Sequence, residues 1–234
     1  MQMYLIFKRA FDVLVSGVGI LLLTPIWLPI AVVLKLTGDH DVFYGQTRIG
    51  LGNRHFKIWK FVTMVRNAET MAGGMHTTQG DPRVTRVGRF LRKTKLNELP
   101  QIFNILFGDM SIVGPRPQVD ETFAPFSDEV KARIYTVRPG LTGLGSIVFR
   151  DEEHILSRVR AEGGDIAECY AKVITPYKGA VEMWYLDHFG FWTDVKLIAI
   201  TAWVVIRPAS RHLLKLVFRD LPEKSPALVA LSAR

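Results

Sequence analysis

The sequence predicts an α+β protein, mainly α. A membrane-embedded N-terminal helix, broken near its middle, leads into a small cytosolic domain that carries interfacial amphipathic helices. Three observations predict this. Val13 to Leu34 is a run of 22 residues without a charge. His40 to Met64 changes to short strand-like stretches joined by Gly and Asn turns. From Val84 onward, apolar residues recur at helical spacing among clustered arginines and lysines.

Composition narrows the function classes. There are 30 Lys+Arg against 22 Asp+Glu, a net charge of +8, with 48% hydrophobic residues. A basic chain this apolar suits contact with anionic membrane lipids better than nucleic-acid binding. No zinc spacing, RNP-like block or recognition helix occurs, so no nucleic acid is expected. The lone Cys169 excludes an intrachain disulfide and reads as an inert, partly buried thiol. The histidines are scattered without paired metal spacing, and no G-x-S-x-G occurs.

Three segments follow: residues 1–38 with the apolar helix, 39–206 as the main domain, and 207–234 as a basic amphipathic helix and loose tail. Straight, the apolar run would cover about 33 Å, enough to cross a hydrocarbon core. It is too long for a secretory signal, and no small-residue cleavage site follows in KLTGDHD. Thr24-Pro25 lies at its centre and Pro29 one turn later, so a sharp bend is expected. Lys8 and Arg9 precede the run, and Lys35, Arg48, Arg54, Lys57 and Lys60 follow it. A helix that breaks at Thr24-Pro25 and returns keeps both basic flanks on the cytoplasmic face. An ordinary kinked span also fits these residues.

Residues 73–82 read as a polar loop, and Val84 to Thr94 as a basic helix. Arg86, Arg89 and Arg92 share about a third of its wheel, where a solvated or lipid-facing stripe is the plain reading. TKLNELPQIF at 94–103 then looks like the start of an amphipathic helix. Asn97 would cap it, and Pro100 is tolerated in a first turn. A helix start beside arginines is also a ready anion site. Pro115 and Pro117 hold Arg116 extended, which aims its guanidinium at low entropic cost. RPGLTGLGSIVFRDEE combines a turn with a strand, and Asp151, Glu152 and Glu153 read as a helix N-terminal cluster. VKLIAITAWVVI is too short to cross a bilayer. Arg207, Arg211, Lys215 and Arg219 recur every fourth residue beside Leu213, Leu214, Val217 and Phe218, as in a helix at a lipid interface.

Several blocks together resemble one family, the bacterial sugar transferases that are monotopic polyprenyl-phosphate phosphoglycosyl transferases. They are KRAFD at 8–12, the broken apolar run, KFVTM at 60–64, DPRVTRVGRFLRKTKLNELPQIFNILFGDMSIVGPRP at 81–117 and RPGLTG at 138–143. YLDHFGFWTDVKLI at 185–198 looks like the family's closing region. The resemblance covers residues 1–206, and the central block is the specific part. It implies transfer of a phospho-sugar from a UDP-sugar to polyprenyl (undecaprenyl) phosphate, giving polyprenyl-diphosphate-sugar and UMP. That is the initiating membrane step of exopolysaccharide, lipopolysaccharide or glycoconjugate synthesis. It also implies a re-entrant helix, a catalytic domain on the cytoplasmic face of the bacterial inner membrane, and self-association or contact with downstream glycosyltransferases.

Family chemistry runs through an Asp-Glu pair in which the aspartate attacks phosphorus and the glutamate binds Mg²⁺. Carried over, the pair falls on Asn97 and Glu98, with Glu98 the metal ligand. Arg92, Arg116 and Lys60 would bind the diphosphate, and Thr24-Pro25 stands where the family commonly has Ser-Pro. KFVTM lacks the arginine of the motif often written KFRSM. Asn97 is the main departure, because an amide is a poor nucleophile. Three outcomes fit. In one the covalent step is lost and the chain serves as a binding scaffold; in another lipid phosphate attacks directly; in the third another carboxylate, Glu98, Asp109 or Asp120, attacks.

Overall fold

The structure, a computed structural model, describes residues 2–37, 41–68, 70–71, 80–207, 213–218 and 220–232. Most of the loop expected at 73–82, together with Arg211 and Arg219, lies outside the described residues.

Helix α1 spans Gln2–Leu36, about 53 Å at 1.5 Å per residue, and is helical through Pro25 and Pro29. The helix is therefore continuous where an interruption was expected. Pro25 has no N–H to offer, and Thr24 Oγ1 donates 2.8 Å to Ile20 O, a back-bond that favours bending. Among the described residues, α1 is the one helix long and apolar enough to cross a membrane. Most of it is bare: Ile6, Leu14, Leu21, Leu22 and Leu28 are all exposed. A narrow stripe faces the rest of the chain, with Lys8, Asp12, Ser16 and Leu34 buried.

The short strands expected here are β1 (Phe43–Ile49) and β2 (His55–Phe61), which pair antiparallel as a hairpin, with Gln46 opposite Ile58 and Tyr44 opposite Lys60. Helix α2 (Arg86–Thr94) is capped by Thr85, whose Oγ1 accepts 2.9 Å from Gly88 N. Gly88 permits close approach to the strand end, since a Cβ there would lie 2.0 Å from Thr63 O. Ahead of α2, the buried Asp81–Arg83 pair at 2.6 Å pins the entry.

Helix α3 (Gln101–Phe107) packs along α1, where Arg9 donates to the Ile105 and Leu106 carbonyls at 2.6 and 2.7 Å. Strand β3 (Ser111–Val113) pairs in parallel with β4 (Gly140–Thr142). Between them lie the short helices α4 (Asp120–Phe123) and α5 (Asp128–Arg133). Residues expected to continue a strand after β4 form helix α6 (Leu144–Val148) instead. A short run of Gly, Ser, Ile and Val is ambiguous between the two forms, and burial of Leu144 and Ile147 decided it.

Asp151 begins α7 (Glu152–Ala161), as the acidic cluster predicted. Helix α8 (Ile166–Cys169) runs through a π-helical turn at Tyr170–Ile174 into α9 (Thr175–Asp187). The main core gathers Val113, Leu144, Val181, Tyr185 and Leu197 between α6, α9 and α10 (Phe191–Ile206). Asp194 on α10 ties α1 to this core, accepting from Tyr4 at 2.6 Å, from Tyr185 at 2.8 Å and from Lys8.

The final segment corrects its prediction. Arg207, the first member of the basic repeat, lies beyond the end of α10 at Ile206, and among the described residues helix resumes as α11 (Leu213–Val217). Leu214 and Phe218 are buried on the main core. Nor is the tail loose, because α12 (Pro226–Ser232) docks Leu228 among Phe149, Leu156, Tyr170 and Ile174. Residues apolar enough to be buried found a partner that linear periodicity does not reveal.

Candidate active site

Helix α2 ends at Thr94, and Lys95 takes a left-handed conformation with φ 62°. That costs a non-glycine residue on the order of 1 kcal/mol. It reverses the chain into a 3₁₀ turn at Leu96–Glu98, after which Pro100 leads into α3. Asn97 is therefore not the cap of α3, as the sequence suggested. Its Oδ1 is buried and makes no hydrogen bond. Leaving an acceptor in that state costs roughly 1–3 kcal/mol, so the turn is held by its surroundings and not by this side chain.

Glu98 sits one residue on, its side chain 21% exposed, with Arg116 Nη2 at 4.0 Å. Burial alone would raise its carboxyl; the cations Arg116, Lys60, Lys95 and Arg48 outweigh that and hold it below the ordinary carboxylate range. Lys60 comes from β2. The two-residue period of the hairpin puts Gln46 and Arg48 on the same face. Gln46 Oε1 accepts from Arg48 Nη2 at 2.7 Å and from Lys60 Nζ at 3.5 Å. Arg48 Nη1 also donates to Pro117 O at 3.1 Å, which joins the hairpin to the Arg116 segment.

Burial and then the Arg48 charge pull the Lys60 ammonium down to about 7, with Arg116 and Arg92 adding and Glu98 opposing. Burial and Arg116 bring Arg48 to about 10. Crowded cations that stay destabilised until an anion arrives are the electrostatic signature of an oxyanion site.

Arg116 lies between β3 and α4, in a stretch without helix or strand. Its backbone is gripped on both sides: N–H to Glu182 Oε1 at 3.2 Å, and C=O from Tyr135 OH at 2.9 Å and Gln118 Nε2 at 3.2 Å.

The predicted residues Lys60, Glu98 and Arg116 thus converge, with Asn97 on the same turn and Arg92 close enough to act on Lys60. Thr24 and Pro25 stand apart on α1. Their neighbours Leu23 and Trp27 meet Leu99, Pro100 and Phe103 just behind Glu98, lining one small apolar cavity. Sequence reasoning missed Gln46, Tyr135 and Glu182, and counted Arg48 only as a basic flank. The strand period could have paired Arg48 with Lys60, whereas nothing local marks Tyr135 or Glu182. Asp109 is engaged by Asn104 Nδ2 at 3.2 Å, and Asp120 by His55 at 2.8 Å, so both alternative carboxylates have partners of their own.

Among the described residues, no three His, Cys, Asp or Glu side chains form a metal cluster. Glu98 with the unpartnered Asn97 oxygen fits a hard cation of the kind that takes one carboxylate and completes its shell with phosphate oxygens. Chemically, the arrangement can hold a multiply charged phosphate anion and stabilise charge developing on it.

The bacterial sugar transferase profile matches residues 3–208. The chain is 36% identical over 197 residues to UDP-N-acetylgalactosamine-undecaprenyl-phosphate N-acetylgalactosaminephosphotransferase of Aeromonas hydrophila, covering 83% of this chain and 42% of that protein. It is 34% identical over 202 residues to UDP-glucose:undecaprenyl-phosphate glucose-1-phosphate transferase of Klebsiella pneumoniae, covering 84% and 39%. Exopolysaccharide production protein ExoY of Rhizobium meliloti (strain 1021) is 39% identical over 166 residues, covering 65% of this chain and 73% of ExoY. The chain spans about two-fifths of the length of the first two relatives. A profile match over residues 3–208, most of the chain, places it in the bacterial sugar transferase family.

Proposed function

We propose that this chain transfers a phospho-sugar from a UDP-sugar to undecaprenyl phosphate, giving polyprenyl-diphosphate-sugar and UMP. The observation that carries this is the convergence of Lys60, Arg48 and Arg116 on Glu98, with Arg92 alongside. The names of the relatives support the substrate classes.

In this reading an oxygen of the lipid phosphate bonds to the β-phosphorus of the donor. The bond from that phosphorus to the bridging oxygen breaks, and UMP leaves with the electron pair. Lys60, Arg48, Arg92 and Arg116 neutralise the diphosphate and hold it in line, which supplies most of the catalysis in phosphoryl transfer. Mg²⁺ would be held by Glu98 and would neutralise the departing phosphate. Asn97 forms no bond to phosphorus; its amide keeps one negative charge out of the path of the attacking phosphate.

The apolar face of α1 sits in the inner membrane as a re-entrant helix bent at Thr24-Pro25, which keeps Lys8, Arg9 and Lys35 on the cytoplasmic side. The contact of Leu23 and Trp27 with Leu99 and Pro100 supports a site close to the membrane, because it packs the turn that carries Glu98 against the apolar helix. Self-association or docking of later glycosyltransferases fits a first membrane step of surface polysaccharide assembly.

A second reading is a silenced member that binds UDP-sugar as a scaffold, and Asn97 favours it. The test is UMP release in nanodiscs with Mg²⁺, undecaprenyl phosphate and a panel of UDP-sugars. Lipid-dependent turnover by the chain as it stands, lost at least about 100-fold in Glu98→Gln, is the expected result. Turnover only in Asn97→Asp supports the scaffold. No turnover by either form refutes the reaction.

A further inference from the structure

Glu182 lies far along the chain from the site, on α9, and is 1% exposed. One carboxylate oxygen accepts the Arg116 N–H at 3.2 Å, while the other is buried without a hydrogen-bond partner. A half-satisfied buried carboxylate is expensive and calls for a reason. Packing alone supplies none, since an apolar side chain of similar volume would fill that space without the cost.

The surroundings fix this carboxylate in place. Gly145 leaves room for it by lacking a side chain: a Cβ there would lie 2.2 Å from Oε1. On the other side of the same residue, the buried Tyr135 donates its hydroxyl to Arg116 O at 2.9 Å and accepts Gln118 N–H at 2.8 Å. Arg116 is thereby held at both its N–H and its C=O, with the flanking prolines fixing their own φ angles. Its guanidinium is left to face Glu98.

We propose that Glu182 and Tyr135 are positioning residues that clamp the Arg116 backbone and so set where its guanidinium meets a bound diphosphate. This rests on the reading of the site as a nucleotide-diphosphate site. Neither residue touches the ligand; both act through Arg116. Misplacing a charged donor by about an ångström is enough to lose on the order of 100-fold in a preorganised site.

The test is UDP affinity by calorimetry of the full chain in detergent with Mg²⁺, which needs no turnover. Glu182→Leu, Gly145→Ala and Tyr135→Phe are measured alone and combined with Arg116→Ala, beside Glu182→Gln. Glu182→Leu and Gly145→Ala should each weaken UDP binding at least fivefold, and Tyr135→Phe at least twofold. In the Arg116→Ala background, the same changes should alter affinity by less than twofold, because the group they position is gone. Glu182→Gln keeps an acceptor for the Arg116 N–H and should recover most of the affinity. Equal losses in both backgrounds, or full affinity in Gly145→Ala and Tyr135→Phe, overturn the clamp. Should Glu182→Leu fail to fold, those two smaller changes decide. UDP binding that depends on Arg116 but on none of these residues refutes this proposal alone. No UDP binding by the unmodified chain refutes the reading of the site, and the clamp with it.

Discussion

Replacing Lys60 by methionine should make the unliganded protein more stable while destroying its response to nucleotide. A lysine drawn from 10.5 to about 7 carries nominally near 5 kcal/mol against its charged form. Lys60 keeps partial access to water and Glu98 opposes the shift, so a smaller net gain of roughly 1.5 kcal/mol is the better expectation. For a chain of this size that is about 3–6 °C in Tm. The sign follows from linkage. Above 10.5 lysine is neutral folded and unfolded, so it contributes nothing. As pH falls from 10.5 to 7, the unfolded chain takes up a proton the folded site resists, and the penalty grows to its full value below 7. Tryptophan-fluorescence melts in detergent should therefore show Lys60→Met more stable at pH 6–7, with the gap closing towards pH 10. UDP with Mg²⁺ should stabilise the unmodified protein and leave Lys60→Met unchanged. A variant less stable at pH 6, or a gap that ignores pH, would refute the electrostatic reasoning.

Further substitutions test the packing of the fold, each read by thermal melts. Asp194→Asn leaves Lys8 buried without its counter-charge while keeping its shape, and should cost about 3–5 kcal/mol. Adding Lys8→Met should recover much of it, and no recovery would mean the pair is not what joins α1 to α10. Leu228→Ala should cost about 2 kcal/mol if α12 is docked as described, and nothing if that segment is free in solution.

Charge and apolar content singled out α1, and strand and turn residues marked the stretch that became the hairpin. These are properties of residues within a few positions of one another, and the chain alone determined them. Asn97 shows the limit: its side chain is an excellent helix cap, yet the left-handed Lys95 and Pro100 begin α3 later and leave its oxygen unpartnered. The C-terminal segment shows another, because docking of Leu228 depends on α7 and the π-helical turn existing first. Glu182 and Tyr135 reach Arg116 from 66 and 19 residues away. No period or spacing encodes a contact at that separation. It is decided when α9 packs on α6 over Gly145, because only then does burial remove water as the alternative partner for the Glu182 carboxylate.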